Sequence, residues 1–85
     1  MNISKSNRLL IKKVELGDKI YVELNSGDIL TLPYSYTKKL ENASENDLKD
    51  YRLIGGGIGI HFLKIDEDIS LSGIINYKTT QLLAS

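Results

Sequence analysis

The chain has 85 residues, 41% hydrophobic and 26% charged, the composition of an ordered globular domain rather than a disordered segment. Lys plus Arg and Asp plus Glu both number 11, so the formal net charge is zero; this argues against a free-standing nucleic-acid binder with a basic excess and suits a protein that associates with itself or a partner. Cysteine is absent, which excludes disulfides, thiolate zinc sites and thiol nucleophiles.

One domain over 1–85 is expected, with residues 1–7 and 78–85 loose. A domain of this size buries only about 60–65% of its extended-chain surface, so its core is thin. Without disulfide staples a reducing compartment is expected. The opening MNISKSNRLLIKK has no signal-like core, its apolar run being only Leu9-Leu10-Ile11. No stretch approaches the roughly 20 apolar residues of a membrane span. The expected location is the cytoplasm, without membrane contact.

In chain order, LLIKKVEL (Leu9 to Leu16) reads as a strand, and Gly17-Asp18 as a turn. KIYVEL alternates cleanly, with Ile20, Val22 and Leu24 on one face and Lys19, Tyr21 and Glu23 on the other. Asn25-Ser26-Gly27-Asp28 has hairpin chemistry, and DILTL resumes the alternation until Pro33 ends it. After Pro33 the period changes. YSYTKKLENAS puts Tyr36, Leu40 and Ala43 on one helical stripe, and Ser44 with Asp47 echoes a capping box. Tyr51 to Ile54 reads as a strand. A second hairpin turns through Gly55 to Gly57 into a strand with Ile58, Ile60 and Phe62 on its core face. Asp66 to Ser70 reads as a polar cap, with Asp68 or Ser70 as the N-cap of a helix carrying Leu71, Ile74 and Ile75. The tail from Tyr77 is moderately helical. The fold class is α+β: a small antiparallel β-sheet of four to five strands, built from two hairpins, with one to three helices packed on it.

The segment GGGIGIHFLKIDEDIS, Gly55 to Ser70, holds the residues most suggestive of chemistry. Counted as Gly-x-Gly-x-x-Gly from Gly55 or Gly57, its last position falls on Ile60 or Phe62, and a strand follows instead of a helix. The Gly-Lys-Ser/Thr of a P-loop is absent. Counted as a calcium loop from Asp66, the sixth and twelfth positions are Leu71 and Tyr77, where glycine and glutamate are required. A divalent site from His61, Asp66 and Asp68 has no diagnostic spacing. Gly55 to Gly57 are expected to supply positive φ, and Gly59 a close approach to the strand. His61, the only histidine, shares a face with Gly59 and Leu63. It suits a structural or interface role better than that of a general base, because no nucleophile accompanies it. Tyr21, Tyr34 and Tyr36 are expected to be exposed and to favour protein contacts.

As one block, residues 22–75, VELNSGDILTLPYSYTKKLENASENDLKDYRLIGGGIGIHFLKIDEDISLSGII, resemble the domain of unknown function 2442 family of small bacterial domains. The matching residues are Leu24, Gly27, Pro33, Leu40, Ala43-Ser44, Tyr51 and Leu53. They continue with Gly57, Gly59-Ile60-His61, Asp66-Glu67-Asp68-Ile69-Ser70 and Gly73-Ile74-Ile75. Phe62 stands where the family usually has Trp, Leu63 where Pro is common, and Leu48 where a basic residue is frequent. The resemblance implies a small α+β domain. It supplies no activity. Members stand alone, are fused to a helix-turn-helix, or lie beside a small toxin-like protein, which implies antitoxins.

The functional expectation is a non-enzymatic protein-binding module, antitoxin-like, that neutralises or regulates a toxin or defence protein. A phage-encoded inhibitor of a host defence system is a variant that the sequence does not separate. Its partner-binding candidates are Tyr21, Tyr34, Tyr36, His61, Asp66 and Asp68. No cofactor and no metal are expected. A homodimer fits the balanced charge. The alternative is a dimeric DNA-binding autoregulator with Lys12-Lys13 and Lys38-Lys39 on phosphates, although 85 residues leave no room for an added helix-turn-helix. A small metal- or His-dependent enzyme around His61, Asp66 and Asp68 ranks below both.

Overall fold

The structure, a computed structural model, describes residues 8–84; residues 1–7, expected to be loose, lie outside the described residues. The fold is α+β, with six strands in two antiparallel sheets of three and three helices among the described residues. The first sheet holds β1 (Ile11–Leu16), β2 (Ile20–Leu24) and β3 (Ile29–Leu32). The second holds β4 (Tyr51–Ile54), β5 (Gly59–Phe62) and β6 (Glu67–Ser70). Between them lie α1 (Lys38–Glu41) and α2 (Glu45–Leu48), and α3 (Leu71–Ala84) closes the chain. The expected single sheet is thus two smaller ones. No helix among the described residues is long and apolar enough to cross a membrane.

The first sheet forms as its alternation dictates. Ile20 and Val22 are fully buried and Leu24 nearly so, and they pair with β3 in the register Ile20↔Leu32, Val22↔Leu30. The turn closes with the Leu24 amide on the Asp28 carbonyl at 2.9 Å, and Gly27 takes φ +95°. The stripe Tyr36, Leu40, Ala43 reaches the core, but from separate pieces. A single 3-10 turn spans Tyr34–Tyr36, and α1 begins only after Thr37. Thr37 is extended, at φ −133°, and its hydroxyl accepts the Leu40 amide at 3.2 Å. A β-branched residue with a capping oxygen starts a new helix more readily than it continues one. Ser44 caps α2 in the same way, accepting the Asp47 amide at 3.2 Å.

The second sheet corrects two expectations. Asp66 to Ser70 is not a polar helix cap: Glu67–Ser70 is the edge strand β6, paired with β5 through Ile60↔Ile69 and His61↔Asp68. Ile69 supplies the reason, since its burial on the core face fixes the alternation of its neighbours. Ser70 alone caps α3, its hydroxyl accepting the Gly73 amide at 3.0 Å. Ile58 is not a core residue; it is 43% exposed while Ile60 and Phe62 are fully buried. The Ile58 amide bonds to the Ile54 carbonyl inside the turn, so the strand register starts only at Gly59.

Phe62 anchors a core that both sheets share with Leu40, Leu48 and Ile74. Each such side chain, fully buried, contributes roughly 1.5–3 kcal/mol. Two polar contacts join the sheets: the Ile11 amide donates to the Gly57 carbonyl at 2.8 Å, and the Val14 amide donates to the Tyr51 hydroxyl at 3.0 Å.

Candidate functional site

Because β4, β5 and β6 turn Tyr51, Leu53, Ile60, Phe62 and Ile69 inward, alternation sends Arg52, Ile54, Gly59, His61, Asp68 and Ser70 to the opposite face. The register arranges these in two cross-strand rows. One row is Arg52, His61, Asp68, and the other is Ile54, Gly59, Ser70. The first row is charged, positive at one edge of the sheet and negative at the other. The second has no side chain at its centre. Gly59 leaves a shallow hollow of about 260 Å³ bordered by Ile54, Ile58 and Asp68. A Cβ on Gly59 would stand 3.0 Å from the Ile69 carbonyl oxygen, so the close approach expected of Gly59 is real.

His61 Nδ1 is hydrogen-bonded to an Asp68 carboxylate oxygen. The imidazole is 31% exposed and the carboxylate 68%. The pair therefore sits at the surface, with the ring orientation fixed by its neighbour on the next strand. A His–carboxylate pair of this kind can orient a general base. Among the described residues, however, no hydroxyl is hydrogen-bonded to the imidazole. Ser70 lies in the other row, and its oxygen is engaged by the Gly73 amide and by Ser72. Among the described residues, no three His, Asp or Glu side chains lie close enough to hold a metal ion. Asp66 stays apart in a left-handed turn at φ 50°, and its carbonyl accepts the Lys39 ammonium at 3.0 Å. Of the acidic candidates, then, only Asp68 joins His61.

Arg52 makes no ion pair among the described residues. Sequence reasoning missed it, together with Ile54. The signal was present: in YRLI the inward positions are Tyr51 and Leu53, so Arg52 and Ile54 must face out beside His61.

The tyrosines are not exposed as expected; all are half-buried. Tyr21 donates its hydroxyl to the Asp18 carboxylate, and Tyr34 donates to the Gly17 carbonyl at 2.8 Å, so these two meet at the β1–β2 turn. Tyr36 packs edge-on against Tyr77 with ring centroids 4.9 Å apart. The bond from Tyr21 holds the Asp18 carboxyl below its ordinary range and, reciprocally, raises the Tyr21 phenol. Burial raises the phenols of Tyr34 and Tyr36. Three of the four lysines considered for phosphate contact have carboxylates nearby, and Lys39 is bonded instead to the Asp66 carbonyl. Lys12 and Lys13 lie 3.9 and 3.7 Å from Glu23, and Lys38 lies 4.0 Å from Glu41.

A family model described as "Protein of unknown function (DUF2442)" matches residues 11–80. A solved protein of unknown function from Rhodospirillum rubrum is similar at 27% identity and a TM-score of 0.75, over 84% of this chain and 89% of that one. An uncharacterised protein from Chromobacterium violaceum, CV0863, has the same fold at 20% identity and a TM-score of 0.71, over 79% of this chain and 64% of its own. None of the curated proteins matches.

Proposed function

The chain belongs to the family of proteins of unknown function DUF2442, and within it we propose a non-enzymatic, antitoxin-like protein-binding module that masks a partner through the outer face of its second sheet. The observation that carries this reading is the row Arg52, His61, Asp68 beside the apolar hollow at Gly59. An arginine without an ion pair among the described residues, next to a hollow that accepts an aliphatic side chain, has the composition of an interface hot spot. The His61–Asp68 bond limits ring motion, which lowers the entropy lost on docking. The partner's matching surface presents a carboxylate to Arg52, a cation or donor to Asp68 and an aliphatic side chain to the hollow.

The test is co-expression with the product of the adjacent gene, followed by co-purification. A stable complex with the unaltered chain, lost on Arg52→Glu with Asp68→Arg, supports the reading. Failure of the unaltered chain to co-purify overturns it.

A further inference from the structure

The helix α3 is unusual for one at a protein surface. Of its 14 residues, LSGIINYKTTQLLA, only Lys78 carries a charge, and that ammonium is 3.4 Å from the Thr31 hydroxyl. Leu71 and Ile74 are buried under the helix, yet Ile75, Leu82 and Leu83 are 37%, 77% and 82% exposed. Ser72, Ile75, Thr79 and Leu82 recur at the spacing of one helical face. At the start of that face lies a groove of about 400 Å³ whose walls include Leu9, Ile58, Ile75 and Arg8, with Leu9 and Ile58 themselves 42% and 43% exposed. This strip thus has an apolar groove at one end and Leu82, with Leu83 beside it, at the other, and carries the polar Ser72 and Thr79 along its length. Strips of this kind on small domains mark contact surfaces.

We propose that this strip is the interface with a second copy of the chain, the two α3 helices lying antiparallel across a two-fold axis near Lys78 and Thr79. The strip complements itself in shape. Ile75 and Leu82 are seven residues apart, about 10.5 Å along the helix, so antiparallel pairing seats the leucine end of each copy in the groove of the other. It also complements itself in charge. The carbonyl end of α3 bears the negative pole of the helix dipole, and no basic residue in its own last turn offsets it. Arg8 lines the groove and makes no ion pair among the described residues. In the paired arrangement the Arg8 guanidinium of one copy meets the last carbonyls of the other, twice. A net charge of zero leaves no long-range repulsion against such self-association. This surface adjoins the face that carries Arg52, His61 and Asp68, because Ile58 and Ser70 border both the groove and the hollow at Gly59.

The test is sedimentation of the whole chain across a wide concentration range, with three variants. The unaltered chain is expected as a dimer. Leu82→Glu, at an exposed position, is expected to weaken it by at least about a hundredfold. Arg8→Glu is expected to weaken it about tenfold, and adding Gln81→Lys to restore it. Because the chain has no cysteine, the double variant Ile75→Cys, Leu82→Cys gives an independent reading. Its two thiols are too far apart on one helix to bridge within a chain, so mild oxidation is expected to yield covalent dimers from it and none from either single variant. A monomer at every concentration, including one whose strip is covered by some other protein, overturns the proposal. So does a dimer indifferent to Leu82→Glu, or a double-cysteine variant that does not link.

Discussion

The carbonyl of Gly57 holds the amide of Ile11 at 2.8 Å, and a Cβ added to Gly57 would lie 2.6 Å from the Ile11 carbonyl oxygen. This is where the start of the first sheet meets the first turn of the second. Gly57 is also at φ +128°, so a side chain there meets both backbone strain and a backbone wall. Gly57→Ala is expected to cost about 2–4 kcal/mol in urea unfolding. Gly56→Ala is expected to cost less: its φ is also positive, at 74°, but nothing lies within 4 Å of the added methyl.

The second link between the sheets is the Tyr51 hydroxyl under the Val14 amide. Tyr51→Phe keeps the ring against Phe62 and removes only the acceptor, leaving a strand amide unpaired in a half-buried place. A loss of about 1–2 kcal/mol is expected in the same unfolding measurement. A larger loss would mean that the ring packing had moved as well.

Alkaline stability follows from the phenols. Burial raises Tyr36 and Tyr34 above their ordinary value of 10.0, so the folded state favours their neutral form. Their contribution is whole below pH 10.0 and is lost as pH rises through the higher folded-state values. Thermal unfolding followed against pH is expected to show stability falling above that point, with a shallower fall in Tyr36→Phe. Asp18 has the opposite sign. Its lowered carboxyl contributes above 3.8 and loses that contribution as pH falls through the lower folded value.

Much of the fold was legible because the physics there is local. KIYVEL and DILTL alternate around Asn25–Asp28, and Ser44 needs only the amide three residues on. Positive φ at Gly55, Gly56 and Gly57 follows from three glycines between two strands. What was not legible depends on distant partners. Two sheets instead of one reflects the meeting of Ile11 with Gly57 and of Val14 with Tyr51, pairs far apart in sequence. Asp66 to Ser70 misled because an edge strand rich in carboxylates has the composition of a helix cap. Only the burial of Ile69 distinguishes the two. In the candidate site, His61 and Asp68 were found by residue type. Arg52 was overlooked because a lone arginine between apolar residues carries no motif. Tyr21 was misjudged because a residue on the non-core face of a strand can still be covered by its own turn, and Tyr34 because the 3-10 turn after Pro33 folds its ring back onto Gly17.

At the outer face, stability and binding are expected to part. His61 and Asp68 are too exposed for their contact to add more than about 1 kcal/mol. His61→Ala is therefore expected to unfold within about 1 kcal/mol of the unaltered chain and yet to bind the partner about tenfold more weakly.

The most direct measurement of the central claim is calorimetric titration of the purified partner with Arg52→Glu and with Tyr34→Phe. Arg52→Glu is expected to raise the Kd about a hundredfold, and Tyr34→Phe, at the far β1–β2 turn, to leave it within about twofold. An unchanged Kd for Arg52→Glu, or a large loss confined to Tyr34→Phe, would contradict the assignment of the partner to the face that carries Arg52, His61 and Asp68.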